Sequence, residues 1–129
     1  MDYREHYQEI RAAGASVVAV SVDAPDKSEV LQHELRLTFP ILCDMERRVI
    51  REWDIYNPRE RGGIAKPAVF VIEPGRTVRY ASVDAVATRV PVSEIVRILQ
   101  AVTEAQPIRR KVYVPRLADW FRAVRNMRR

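Results

Sequence analysis

At 129 residues the chain is about one domain long, and its 47% hydrophobic and 30% charged residues exclude the apolar-poor, highly charged compositions that stay disordered. The single cysteine, Cys43, excludes an intramolecular disulfide and a cysteine-rich metal site. One cysteine is usual in a reducing compartment, so we expect a globular protein of the cytoplasm with one core.

The net charge of +5 is unevenly distributed along the chain. Residues 107–129 carry eight Lys or Arg and one Asp, a net charge of +7, whereas residues 1–106 carry 14 cations and 16 anions, a net charge of −2. The sequence therefore predicts a faintly acidic domain over residues 1–106 and a basic tail over residues 107–129. No apolar run approaches the ~18 residues of a membrane span. Residues 1–14 are too charged for a signal peptide, so we expect none.

The first half of the chain alternates helical and strand patterns. After Gly14 come eight valine-rich residues without charge, which is typical of a strand buried on both faces of a parallel sheet. The next helical pattern places Val30 and Leu31 on its apolar side. The predicted elements are a helix over 2–13, a strand over 15–22, a helix from the turn at 23–26 to about residue 36, and a short strand over 39–43.

The second half is predicted to add a helix, a hairpin and a final helix. Asp44 is of a residue type that caps helix N-termini, and Trp53 falls on the apolar side of the helix that follows it. A Pro-Gly-Arg turn separates two apolar runs, as in a β-hairpin. The predicted elements are a helix over 45–53, a polar loop over 57–66, strands over 67–72 and 77–83, and a helix over 92–104.

The order of these elements predicts an α/β fold with a mixed sheet. The chain opens on a helix that leads directly into the strand over 15–22, and such a helix normally completes a βαβ unit whose first strand precedes it. The sequence has no residues for that strand before the helix. We therefore expect the sheet to lack its first strand.

Three segments in order resemble the thioredoxin-fold peroxiredoxins of the AhpC/TSA (redoxin) group: GASVVAVSVD at residues 14–23, FPILCD at 39–44 and KPAVFVIEPGR at 66–76. Those proteins have a GA-VVAVSVD strand, an FP-L-D segment that opens a helix, and a FVID-x-G hairpin at similar spacing. The resemblance covers about residues 1–104. It implies a thioredoxin-like fold in which a mixed central sheet is flanked by helices, followed here by an added basic helix.

The same resemblance implies thiol-dependent peroxide reduction or thiol-disulfide exchange. In the family a peroxidatic cysteine lies at the N-terminal end of the helix that corresponds to residues 2–13, where the helix dipole and a neighbouring arginine lower its pKa. No cysteine of this sequence matches that position. We therefore expect an N-terminally shortened, catalytically impaired family member. The alternative is a non-catalytic binding or oligomerisation module.

Cys43 and Pro67 are the candidate catalytic residues. Cys43 precedes a helix start but adjoins the Asp44 carboxylate, which opposes thiolate formation, so a small packed residue is favoured over a nucleophile. Pro67 stands where many peroxiredoxins have an arginine. It is either the cis-proline that lies against the redox site in the thioredoxin-like subgroup or a trans-proline that starts a strand. His6 and His33 are expected on the surface, and no metal or cofactor is expected.

The basic tail is predicted to contain an amphipathic helix that begins at Pro115. Its candidate interaction residues are Arg116, Trp120, Phe121, Arg122, Val124 and Arg125. The apolar stripe either packs on its own domain or a partner subunit, or contacts an acidic protein or an anionic membrane surface. We expect a homo-oligomer and, from the family, a thiol reductant as partner; nucleic-acid binding is not expected.

Overall fold

The computed structural model describes residues 2–60, 62–84 and 89–105. Helices and strands alternate along these ranges, which confirms the predicted α/β class. The elements are α1 (Asp2–Glu5), α2 (Tyr7–Ala12), β1 (Ala19–Ser21), α3 (Pro25–Glu34), β2 (Ile41–Cys43), α4 (Arg48–Glu52), β3 (Tyr56–Asn57), β4 (Ile64–Ala65), β5 (Ala68–Ile72), β6 (Val78–Val83) and α5 (Val92–Thr103).

A parallel pair, β1 and β2, is connected through α3 as a βαβ unit requires. Ser21 lies opposite Cys43, and the backbone N–H of Asp44 donates to the Ser21 carbonyl at 2.7 Å. The strand predicted over 15–22 is therefore shorter in the structure, because a strand is paired only along the length of its partner and β2 has three residues.

An antiparallel hairpin, β5 and β6, forms a second ladder, in which Phe70 lies opposite Ala81. A third, short ladder joins β3 to β4 and corrects the prediction of a loop over 57–66, because three of its four residues lie in that segment. In the part of the chain that the structure describes, no ladder connects these three pairs. The mixed parallel and antiparallel pairing agrees with the prediction from the sequence, and the strands of these ranges form two-stranded ladders.

One apolar cluster joins the N-terminal helices, the hairpin and the last helix. Ile10 of α2, Val71 of β5 and the inward residues of α5 are buried together. Val17, just before β1, packs against the same cluster. The buried residues of α5 are those that the sequence pattern predicts, because Ile95, Val96 and Leu99 lie on one face of the helix.

Three helical predictions need correction. The helix over 2–13 is interrupted at His6, whose φ of −94° and ψ of 9° belong to a turn. The helix over 45–53 begins only at Arg48, because Arg47 has a left-handed φ of 58°. In α3 the expected apolar side is exposed, since Val30 and Leu31 face solvent while Ser28 is buried.

None of the helices in the described ranges is long and apolar enough to cross a membrane. The predicted boundary between residues 106 and 107 lies outside those ranges. The tail residues singled out from the sequence lie outside them as well: Arg116, Trp120, Phe121, Arg122, Val124 and Arg125.

Candidate functional site

Cys43 ends β2 and is half-buried between the parallel pair and α3. Its Sγ donates a hydrogen bond to Oγ of Ser28 at 3.3 Å, and Ser28 is buried on α3. The βαβ connection explains this contact, because α3 returns across the face of the two strands it joins. The thiol therefore packs as a small side chain between strand and helix.

Asp44 lies one residue beyond Cys43 and holds the start of α4. Its Oδ1 accepts the backbone N–H of Arg48 at 2.9 Å, and its Oδ2 accepts that of Ile50 at 3.0 Å. The carboxylate thus satisfies donors that the first turn of a helix leaves free, although the helix begins later than predicted. Asp44 is therefore not the N-cap residue that the sequence predicts, since Arg47 occupies that position, but its carboxylate accepts the first-turn N–H groups as a cap does.

The electrostatics of Asp44 follow from these contacts. Burial raises the pKa of the carboxyl, but backbone hydrogen bonds from Ile50, Val49 and Arg48, together with the positive charge of Arg48, outweigh burial. The pKa of Asp44 therefore lies below its ordinary value of 3.8. Asp44 is thus an anionic cap at neutral pH, directly beside the only thiol in the sequence.

The carboxyl ends of β1 and β2 bring further polar groups close to Cys43. Ser21 Oγ donates to Asp23 Oδ2 at 2.8 Å and accepts the Asp23 backbone N–H at 3.1 Å. Such bonds within three residues form a local turn. An activated cysteine needs an adjacent base or cation. The partner of the Cys43 thiol is instead a neutral serine hydroxyl.

Arg47 is a positioning residue that the sequence did not reveal. From its left-handed conformation, Nε donates to the Gly63 carbonyl at 2.8 Å and Nη1 donates to the Met45 carbonyl at 2.9 Å. The guanidinium therefore ties the turn before α4 to the segment that leads into β4. A left-handed arginine has no distinctive sequence signal, because that conformation is common only for glycine and is otherwise favoured by asparagine.

Pro67 directly precedes β5, and the peptide bond before it is trans. The cis alternative is therefore wrong, and Pro67 is the rigid trans-proline that starts a strand. Its carbonyl accepts the Asp84 backbone N–H at 2.7 Å, which extends the hairpin by one pair. Lys66 before it is exposed.

The two histidines have other neighbours than the Cys43 thiol in the contacts that the structure describes. His6 Nδ1 lies 2.9 Å from Glu9 Oε1 within the N-terminal helices. His33 lines an open depression of about 560 Å³ beside α3, together with Glu29 and Arg36. Neither histidine makes a hydrogen bond to the thiol in the described ranges, so the structure supplies no Cys–His pair there.

A sequence model of the AhpC/TSA family matches residues 1–81. A Mycobacterium tuberculosis H37Rv protein named as a peroxiredoxin is 30% identical over an alignment of 82 residues, which covers 60% of this chain and 52% of that protein. Peroxiredoxin 2 of Thermoplasma acidophilum is 25% identical over 105 residues, covering 77% of this chain and 52% of its own length. The chain thus spans about half the length of these curated relatives.

Solved structures give the same fold. Mycobacterium bovis AhpC superposes with a TM-score of 0.71 at 21% identity, over 87% of this chain and 63% of that protein. The mitochondrial 2-Cys peroxiredoxin of Plasmodium falciparum has a TM-score of 0.71 at 14% identity, over 80% of this chain and 64% of its own. At these identities the similarity establishes the thioredoxin-like fold alone.

Proposed function

The chain belongs to the AhpC/TSA family, and from this membership we propose that residues 1–129 form the peroxiredoxin-like scaffold of a thiol-dependent peroxide reductase without carrying its reactive thiol. Peroxide reduction requires a thiolate that attacks one peroxide oxygen and breaks the O–O bond. The sulfur becomes a sulfenic acid, and the other oxygen leaves as water or an alcohol. A second thiol then reduces the sulfenic acid through a disulfide.

The observation that carries the proposal is the surroundings of Cys43. The side chain is half-buried, and its Sγ is hydrogen-bonded to Ser28 Oγ. A neutral hydroxyl provides neither a base to accept the thiol proton nor a cation to pair with a thiolate. These surroundings support a structural role for Cys43.

Consumption of hydrogen peroxide with dithiothreitol as reductant tests the proposal, with wild type compared to Cys43→Ser. Serine keeps the size and a hydrogen bond to Ser28 while it removes the sulfur, so the variant is a matched control. We expect both proteins to consume peroxide at the rate of dithiothreitol alone. Turnover by the wild type that disappears in Cys43→Ser would overturn the proposal.

A non-catalytic assembly module is the second candidate, favoured by an exposed apolar face on the parallel pair. Val20 lies opposite Leu42, so both side chains are on one face, and Val18 is two residues from Val20 on the same face. The exposed fractions of Val18, Val20 and Leu42 are 53%, 48% and 56%. Such a patch favours self-association.

The proposed assembly is a homo-oligomer that buries this face. Sedimentation equilibrium of wild type and of Val20→Lys tests it, with Val30→Lys, a similarly exposed valine on α3, as the control. We expect an oligomer for wild type and Val30→Lys, and dissociation for Val20→Lys. A wild-type monomer at high micromolar concentration would contradict this candidate.

A thiol reductant, an acidic protein and an anionic membrane surface remain the proposed partners, the last two through residues 107–129. The net charge of +7 on that segment supports them. Binding through it should weaken as salt rises, because exposed charges are screened beyond ~8 Å at physiological ionic strength. We also propose a cytoplasmic location, because a chain with a single cysteine is usual in a reducing compartment.

A further inference from the structure

The helix α3 packs on the parallel pair through a polar residue and exposes apolar ones. Ser28 is buried, and its Oγ contacts the Cys43 thiol of β2. Val30 and Leu31, which lie on a different side of the helix, are 57% and 42% exposed. A helix on the surface of a globular domain normally turns its apolar stripe toward the core. The described part of the chain therefore leaves an apolar face of α3 uncovered.

These two apolar side chains lie between opposite charges. Lys27, Val30, Leu31 and Glu34 have the spacing i, i+3, i+4 and i+7, which places them along one face of α3, and all four are exposed. We call these four residues the α3 stripe. Within the ranges that the structure describes, neither Lys27 nor Glu34 has an ion pair. Seven residues of helix separate the two charges by about 10 Å, too far for them to pair with each other.

The order of the charges makes the α3 stripe complementary to itself in one orientation. Two antiparallel copies of α3 can meet across a two-fold axis that passes between Val30 and Leu31. Each Lys27 then lies opposite the partner's Glu34, and each Val30 lies opposite the partner's Leu31. In a parallel pair Lys27 would meet the partner's Lys27, and like charges would repel. The charge pattern therefore favours a second copy of this chain in the antiparallel orientation.

We propose that the α3 stripe is an antiparallel, two-fold contact between two copies of this chain. Association removes the apolar centre of the stripe from water, and the ion pairs at both ends fix the orientation and register. A standard interface buries about 800 Å² on each partner, more than two turns of one helix supply. The α3 contact therefore acts together with the exposed face of the parallel pair, and the total number of copies rests on the homo-oligomer proposed above.

The two contacts can be occupied together, because they lie on opposite sides of the β1–β2 pair. Cys43 faces α3, whereas Leu42, the preceding residue of β2, points to the other side together with Val20. Two different two-fold contacts on one chain join more than two copies. We therefore expect the wild type to contain more than two copies, and a variant without the α3 contact to contain two.

Sedimentation equilibrium of the full 129-residue chain tests this charge register. Lys27→Glu places two carboxylates opposite each other at both ends of the contact, and Glu34→Lys places two ammonium groups there. We expect the mass of the assembly to fall about twofold in each single variant. The double variant that combines Lys27→Glu with Glu34→Lys restores opposite charges in the same register, so we expect it to regain the wild-type mass.

Glu29→Lys is the matched control, because it makes the same change of charge as Glu34→Lys at an exposed position of α3 outside the stripe. It should leave the mass unchanged. The proposal would be overturned by single variants that keep the wild-type mass, by a double variant that does not regain it, or by an equal fall in Glu29→Lys.

A failure of the other contact is distinguishable from a failure of this one. Val30→Lys breaks the α3 stripe and should leave two copies joined through the face of the parallel pair, whereas Val20→Lys should leave two copies joined through α3. If the face of the parallel pair does not associate, the wild type has two copies and Lys27→Glu has one, which is still a twofold fall. A wild-type monomer at high micromolar concentration would overturn both contacts.

Discussion

Asp44 stabilises the start of α4 through its charge as well as its hydrogen bonds. Because its pKa lies below the ordinary value of 3.8 in the folded chain, its ionised form stabilises the fold above that value. This contribution disappears as the pH falls through the lower pKa of the folded state, where the carboxylate takes up a proton.

We therefore expect Asp44→Ala to lower the urea midpoint at pH 7, and the difference from wild type to shrink toward about pH 2. Denaturation curves over this range measure the difference. Asp26→Asn, at an exposed aspartate of α3, is the control and should show a much smaller change. A difference for Asp44→Ala that stays constant with pH would show that the charge contributes nothing.

Position 63 requires glycine because of its backbone conformation and because of the nearby ring of Tyr56. Its φ is 99°, and a Cβ at this position would overlap the ring of Tyr56. Gly62 has a φ of 72°, with no atom within 4 Å of a Cβ built there. Alanine substitutions at these two adjacent glycines therefore separate the free-energy cost of a positive φ from the cost of the contact with Tyr56.

We expect Gly62→Ala to destabilise the fold by about 1 kcal/mol, from the positive φ alone. Gly63→Ala should cost a further ~1–3 kcal/mol, because the ring of Tyr56 must move to admit the methyl group. Chemical denaturation of both variants measures the difference. Equal losses would mean that the Tyr56 ring moves aside without cost.

At the residue scale, the sequence could predict roles that depend on residue type. The residue type of Asp44 predicts an acceptor for helix N–H groups, a role that its carboxylate has although Arg47 is the N-cap residue, and the apolar run before it predicts that Cys43 ends a strand, as the structure shows. The sequence could not predict Arg47, whose role depends on a backbone conformation unusual for arginine and on a carbonyl 16 residues away.

Among the elements, α5 contributes most to the core. Ile98 is 1% exposed and belongs to the cluster that also holds Ile10 and Val71. Its truncation leaves a cavity among residues from three elements, which surrounding side chains fill only in part.

We expect Ile98→Ala to lower the free energy of unfolding by about 2–5 kcal/mol. Val30→Ala, at a valine that is 57% exposed on α3, is the control and should change it by no more than about 0.5 kcal/mol. Equilibrium urea unfolding of both variants measures the two effects. A loss of stability for Ile98→Ala as small as that for Val30→Ala would show that α5 does not contribute to the core as described.

Element types could be predicted better than element lengths. The pattern of α5 specifies its buried face, and the structure ends the helix within one residue of the prediction. The strand over 15–22 was predicted too long, because paired length depends on a partner elsewhere in the chain. In α3 the apolar pattern was misleading, since its contact with the sheet includes Ser28, which meets Cys43.

At the scale of the whole molecule, the α/β order and the three family-like segments were enough to predict the fold. Within the described ranges the strands form the separate β1–β2, β3–β4 and β5–β6 pairs. The trans form of Pro67 could not be predicted, because sequence allows both isomers at an X-Pro bond.

The central claim is that this chain has a peroxiredoxin-like fold in which Cys43 is an ordinary thiol. Its most direct test is the rate at which Cys43 is oxidised by hydrogen peroxide in the folded chain, measured by intact mass and compared with the rate in the urea-unfolded chain. The account predicts that folding leaves the rate unchanged or slows it, because Cys43 is half-buried and its Sγ is hydrogen-bonded to Ser28. Faster oxidation in the folded chain would contradict the account, because it would show that the fold activates this thiol.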